Sequence, residues 1–204
     1  MLRVHTLPLG QLQANCYIVH EVSSGTCAVI DPGDWPDQVL SRVAQLGLRI
    51  EAVLLTHGHF DHVSAAQAIA RATGCSLWLH EGDYAMPSTP MNDYLYPLHG
   101  VRVPGMNFCE DGEEICAGGL TFTTIHTPGH SQGSVCFRCE KALFTGDTLF
   151  AGGCGRTDLP GGSWETIIES LQDIARMDVS LTAYPGHGES TTLAREKQYN
   201  PYMR

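Results

Sequence analysis

The chain has 204 residues, 43% hydrophobic and 17% charged, which suits one domain with a substantial core and argues against a disordered or fibrous protein. Its formal net charge of −10 argues against nucleic-acid binding, which usually depends on a basic face. The first nineteen residues are broken by Arg3, His5, Pro8, Gly10, Gln11, Gln13 and Asn15, so no secretory signal and no membrane span are expected, and the location expected is cytoplasmic.

Short apolar runs at 3–7, 16–20 and 27–30, separated by Gly, Asn or Ser turns, predict three strands. Asp31-Pro32-Gly33-Asp34 ends the third. Val39, Leu40, Val43 and Leu46 fall at helical spacing, with Gly47 at the end. The apolar run 50–55 predicts a buried strand. A second helix has Val63, Ala66, Ile69 and Ala70 on its inner face and stops near Gly74, and 76–80 is another strand. Residues 86–105 hold four prolines and two glycines and read as a long loop bordering a pocket. Strands follow at 120–126, 134–138 and 142–145, then a glycine-rich stretch at 150–162. Trp164, Ile167, Ile168, Leu171 and Ile174 mark an amphipathic helix; 181–184 is the last strand and 192–198 a terminal helix. Helices separate blocks of strands. Two sheets face to face, with helices outside, bury both kinds of element.

The eight cysteines are scattered and read as small buried apolar residues in a reducing compartment. Cys136 and Cys139 have CxxC spacing inside a strand, where residues three apart point to opposite faces. No second pair exists to complete a zinc knuckle.

The segment Thr56-His57-Gly58-His59-Phe60-Asp61-His62 places four potential metal ligands directly after a buried strand. A loop leaving a strand can aim several side chains at one point. Imidazole with carboxylate suits zinc, iron or manganese, and the lack of cysteine argues against a purely structural zinc site. Three further strand ends repeat the design: Pro128-Gly129-His130, Thr145-Gly146-Asp147 and Pro185-Gly186-His187. Each sets a candidate ligand beside a glycine that lets the backbone approach closely. Asp31 is a candidate for orienting a ligand imidazole. His80 and His126 read as supporting or structural residues, and His5, His20 and His99 match no ligand pattern.

The order His-x-His-x-Asp-His, His, Asp, His, together with Ile30-Asp31-Pro32-Gly33, resembles the metallo-β-lactamase superfamily over nearly the whole chain. Gly146-Asp147-Thr148-Leu149-Phe150 and Gly153-Cys154-Gly155-Arg156 resemble its glyoxalase II branch, and the ending Asn200-Pro201-Tyr202-Met203 is similar to small single-domain members. The resemblance implies an α+β fold, a four-layer αββα sandwich, with residues 1–204 forming one hydrolase domain. It also implies two divalent metal ions, zinc first and iron or manganese as alternatives. His57, His59 and His130 would hold the first, Asp61, His62 and His187 the second, and Asp147 would bridge them. Two metals roughly 3.5–4 Å apart can share a water and make it a nucleophile near neutral pH. Asp61 and Asp147 are the candidate catalytic residues of the set.

Arg156 matches a basic position near the thiol half of the substrate in glyoxalase II. The implied function is thioester hydrolysis on hydroxyacylglutathione, with a small molecule as the partner. Full-length members of the branch carry a further C-terminal helical domain and a Glu-Tyr after the last ligand; here Gly188-Glu189 follows His187. Two alternatives stand beside this reading. A mononuclear iron persulfide dioxygenase would use His57, His130 and Asp147, with a Gly-Cys-Gly-Arg-Thr-Asp stretch like residues 153–158. The other is a hydrolase of another ester, such as a lactone.

Overall fold

Alternation along the strands sorts their side chains into separate cores, and the cores define the layers. The computed structural model describes all 204 residues. The first sheet is built from β1 (Leu2–Leu9), β2 (Ala14–Glu21), β3 (Thr26–Ile30), β4 (Arg49–Leu54), β5 (Ser76–Leu79) and β6 (Met106–Phe108), side by side in that order. Pairing is antiparallel from β1 to β3 and parallel from β3 to β6. The second sheet begins with β7 (Glu114–Ala117), β8 (Leu120–His126), β9 (Val135–Cys139) and β10 (Ala142–Gly146). A small hairpin, β11 (Leu149–Phe150) and β12 (Gly153–Cys154), interrupts it before β13 (Thr182–Pro185) and β14 (Thr191–Thr192). Its spatial order is β14-β13-β10-β9-β8-β7, with β10 and β13 parallel.

In β2, Tyr17 and Val19 face the second sheet while Cys16 and Ile18 face outward; β3 repeats this with Ala28 and Ile30 against Cys27 and Val29. Phe122, Phe137 and Phe144 complete the inter-sheet core from the other side. Burying each such aromatic contributes roughly 1.5–3 kcal/mol. The outer face of the first sheet is covered by α1 (Pro36–Gln45) and α3 (Ala66–Thr73), through Val39, Val43, Ala66 and Ile69. The outer face of the second is covered by α6 (Trp164–Ala175) and α7 (Leu193–Tyr199), through Ile167, Leu171, Ile174 and Leu193. Three cores between four layers make the αββα sandwich expected from the sequence.

Three local expectations differ. The second helix is split into α2 (Phe60–Val63) and α3. Pro32 O accepts the Ala65 N–H at 3.0 Å, and a Cβ on Gly33 would overlap the Asp61 carbonyl. The 31–34 turn therefore presses into the helix and isolates its first turn. Residues 86–105 are not structureless: they contain α5 (Pro90–Leu95), with Thr89 Oγ1 accepting the Asn92 N–H at 3.1 Å and Pro90 at the helix start. Six residues are too few to show a helical period. α4 (Glu81–Tyr84), β6 and β7 are likewise too short for the sequence pattern to show.

Cys136 joins the outer core and Cys139 the inter-sheet core, as alternation requires. All eight cysteines are free. Thiol titration of denatured, unreduced protein is therefore expected to find every cysteine reactive; a shortfall of two or more would mean a disulfide.

Candidate metal centre

The parallel strands β3 and β4 end side by side, so Asp31 and the loop after Leu54 leave the first sheet together. From the second sheet, β8 leads to His130, β10 to Asp147 and β13 to His187. Hydrogen bonds across the seam hold these loops: the Val135 N–H donates to Thr56 O at 2.8 Å, and the Asn15 N–H to Gly186 O at 2.7 Å. All seven candidate ligands meet there. Donor atoms of His57, His59 and His130 lie within 4.8 Å of one another, and so do those of Asp61, His62 and His187. Asp147 stands between the groups: Oδ1 is 3.4 Å from His62 Nε2, and Oδ2 is 3.6 Å from His130 Nε2 and 3.7 Å from His187 Nε2.

The outer hydrogen bonds fix which imidazole nitrogens face inward. Arg156 O can only accept, so His130 donates from Nδ1 at 2.8 Å and turns its bare Nε2 inward. The Thr56 hydroxyl donates to Asp31 at 2.6 Å and so accepts from His57 Nδ1 at 3.1 Å. His57 Nε2 is then buried without a partner. Asp31 also faces His62 Nδ1 at 3.1 Å, which turns His62 Nε2 inward. Such partners orient ligands and set their tautomers. Asp31 adopts φ 49°, a left-handed conformation that costs a non-glycine residue energy and concentrates at functional sites.

Electrostatics test whether this set fits a cation. Burial and the facing His62 and His130 rings hold His57 well below its usual range, and burial with His130 and His62 takes His59 down to about 3. Both rings are therefore neutral, the form in which an imidazole can ligate a metal. Burial opposes charge on His62, but Asp147, Asp31 and Asp61 outweigh it and lift its pKa to about 9. Burial likewise opposes the Asp61 carboxylate, yet His187 and His62 hold it down to about 2. The pocket therefore calls for positive charge among its carboxylates. A divalent cation supplies that charge without a proton. Asp147 Oδ1, buried with no hydrogen-bond partner, is another atom that such a cation would satisfy.

No cysteine belongs to any of these groups. His80 and His126 stack on each other outside them, 4.2 Å between ring centroids. Two residues that sequence reasoning missed support the site. Asn15 Nδ2 donates to Pro185 O at 3.0 Å and Gly188 O at 2.9 Å, bracing the His187 loop from both sides. The Asp83 carboxylate accepts from Gly58 N–H, Ser131 Oγ and Gly133 N–H, each at 2.7 Å. His80-Glu81-Gly82-Asp83 follows β5, so the strand-end pattern that singled out the other loops marks this one too.

Close packing makes the site sensitive to a single methyl group. A Cβ on Gly186 would overlap Asp147 Oδ1 and lie 2.7 Å from His62 Cε1. Gly186→Ala is therefore expected to displace the Asp147 carboxylate and lower metal content below half that of the unaltered protein, read by elemental analysis. Unchanged content would show that the loop moves freely.

Beside the seam lies a cavity of about 410 Å³, walled by Leu12, Phe60, Leu95, Phe150 and Leu159, with Arg156 at its edge. Arg156 Nε and Nη2 pair with Asp158 at 2.6 and 2.7 Å. Leu95 belongs to α5, so the segment expected to border a pocket does so. No helix is long and apolar enough to cross a membrane.

Residues 9–187 match the metallo-beta-lactamase superfamily. The chain is 34% identical to the hydroxyacylglutathione hydrolase GloC of Haemophilus influenzae, over 99% of this chain and 98% of that one. Among solved structures it resembles the BLEG-1 B3 metallo-beta-lactamase, with TM-score 0.85, 30% identity and 100% and 99% of the two chains covered. It also resembles TTHA1623, solved in a di-iron-bound form, with TM-score 0.79, 33% identity and 98% and 100% covered. Family match, αββα layers and a His/Asp cluster at the sheet seam agree: the chain belongs to the metallo-beta-lactamase superfamily, and it is a metallo-hydrolase of that fold.

Proposed function

We propose that residues 1–204 act as a single-domain, dinuclear metal-dependent thioesterase on hydroxyacylglutathione, of which S-D-lactoylglutathione is the test substrate, or on a closely related thioester. The observation that carries this reading is the completeness of both ligand sets around Asp147, beside an apolar cavity with one guanidinium at its edge. The likeness to GloC along nearly the full length of both chains supports the substrate class. The eight free thiols suit a reducing compartment, and a cytoplasmic location and a small-molecule partner are part of the proposal.

His57, His59 and His130 would hold one metal, Asp61, His62 and His187 the other, with Asp147 shared. Zinc is the first candidate, and iron and manganese suit the same donors. When bound, such a pair supplies Lewis acidity for a carbonyl and acidifies water. The chain supplies the rest. Asp31, Thr56 and the Arg156 carbonyl hold three imidazoles in the ligating tautomer. Leu12, Phe60, Leu95, Phe150 and Leu159 would offer the thioester an apolar wall. Arg156 is exposed and shared with Asp158, and would exchange that partner for an anionic group on the thiol half of the substrate.

Steady-state kinetics on S-D-lactoylglutathione, on a simple lactone, and on glutathione persulfide with oxygen uptake test the proposal. Thioester cleavage is expected to be favoured over the other two reactions. Arg156→Ala is expected to lower kcat/KM roughly tenfold, one charge-assisted hydrogen bond. Its main-chain contact with His130 survives that change. Oxygen consumption with the persulfide and no thioester cleavage would overturn the reading in favour of a mononuclear iron dioxygenase.

A further inference from the structure

Among the braces of the two ligand sets, one is a buried carboxylate with no part in the mechanism above. Asp83 is 1% exposed. Its Oδ2 accepts from the Gly58 N–H, between His57 and His59, and from the hydroxyl of Ser131, next to His130. Its Oδ1 accepts from the Gly133 N–H in the same loop as His130. One carboxylate thus ties together both backbone segments that carry the first ligand set. Asp31 reaches both sets, facing His62 directly and His57 through Thr56, while Asn15 grips the carbonyls on either side of His187 in the second set.

We infer that Asp83 is a positioning residue dedicated to the first metal set, fixing the separation of the His57/His59 loop from the His130 loop. The packing around it leaves no slack. A Cβ on Gly58 would lie 2.9 Å from Asp83 Cβ and 2.9 Å from Tyr96 Cδ1, and one on Gly133 would lie 2.6 Å from Asp83 N. Two of its three donors are main-chain N–H groups, which point where the loops dictate. An amide in its place presents an NH₂ to one of those donors and cannot satisfy both. The loops must then part, and with them the imidazoles. The buried carboxylate makes no Lys or Arg ion pair; its hydrogen-bond donors are Gly58, Ser131 and Gly133. A cation held by His130 and its partners would compensate it.

The inference rests on the ligand assignment but not on the substrate. Its test is therefore binding of cobalt(II) alone, followed by chelator competition and the visible spectrum, without turnover. His130→Ala and His187→Ala provide the reference spectra for loss of the first and second set. Two bound metals in the unaltered protein check the ligand assignment itself.

Asp83→Asn is expected to weaken the first-set metal by 10–100-fold, the range for a partner that orients ligands, with the second-set affinity within about twofold of the unaltered value. Asn15→Ala is expected to do the reverse. If Asp83→Asn does not fold, Ser131→Ala removes one arm of the same network and is expected to weaken the first set alone, by a smaller factor. Loss of both sets in parallel, or a fall in melting temperature with both affinities unchanged, would reduce Asp83 to a general structural residue and overturn the inference.

Discussion

Replacing Asp147 with alanine is expected to abolish turnover and to weaken retention of both metals, whereas His187→Ala mainly loosens the second. The difference follows from position. Asp147 oxygens lie 3.4 Å from His62 Nε2, 3.6 Å from His130 Nε2 and 3.7 Å from His187 Nε2, so both groups lose a donor at once. His187 belongs to one group only. Its side chain is 29% exposed, against 3% for His130, so water replaces it at lower cost. Loss of a shared ligand in a two-metal site is expected to lower kcat on the order of a thousandfold or more. Metal content after desalting and kcat on the thioester measure the two effects separately. Normal activity in Asp147→Ala would sink the bridging assignment.

Asp31→Ala carries the largest expected stability effect. The buried carboxylate accepts from the Thr56 N–H at 2.7 Å and the Thr56 hydroxyl at 2.6 Å, and faces His62 Nδ1 at 3.1 Å. Its removal strands these groups in a site closed to water, at roughly 1–3 kcal/mol for each unsatisfied donor. Alanine must also adopt the left-handed conformation that Asp31 holds at φ 49°, which costs roughly 1–2 kcal/mol more. A loss of about 4 kcal/mol corresponds to a melting temperature lower by roughly 8–16 °C for a chain of this length. The measurement is thermal unfolding of metal-free protein. A shift under about 2 °C would mean that Thr56 and His62 find other partners.

The candidate centre was legible because its information is local. Four of the candidate ligands sit within one short segment, and the other three each follow a strand end beside a glycine. The layers were legible for a similar reason, since helical spacing in Ile167, Leu171 and Ile174 and strand runs such as 27–30 report burial directly. What escaped was short or non-local. Helix α5 has six residues, less than two helical turns, so its Thr89-Pro90 start was the available signal. Helix α2 broke from α3 because the 31–34 turn presses against it, a contact between segments that no window along the chain contains. Asn15 acts on a loop 170 residues away, and nothing about an asparagine near the start of a strand announces that. Asp83 lay in between: its strand-end setting was visible, but it binds backbone rather than metal, so a search for ligands passes over it.

Chain order gives the sandwich a consequence for assembly. The first sheet uses residues up to Phe108 and the second begins at Glu114, so the halves emerge from the ribosome one after the other. The first half alone leaves Tyr17, Val19, Ala28, Ile30 and Leu54 facing solvent, an apolar face prone to association until its mate arrives. It carries only a partial ligand group for either metal. His62 and His187 are 125 residues apart, and bringing such distant points together costs on the order of 4 kcal/mol in chain entropy. Metal acquisition is therefore expected late in biogenesis: the complete ligand groups form only when the halves dock, and a metal held there would join residues 57–62 to residues 130–187.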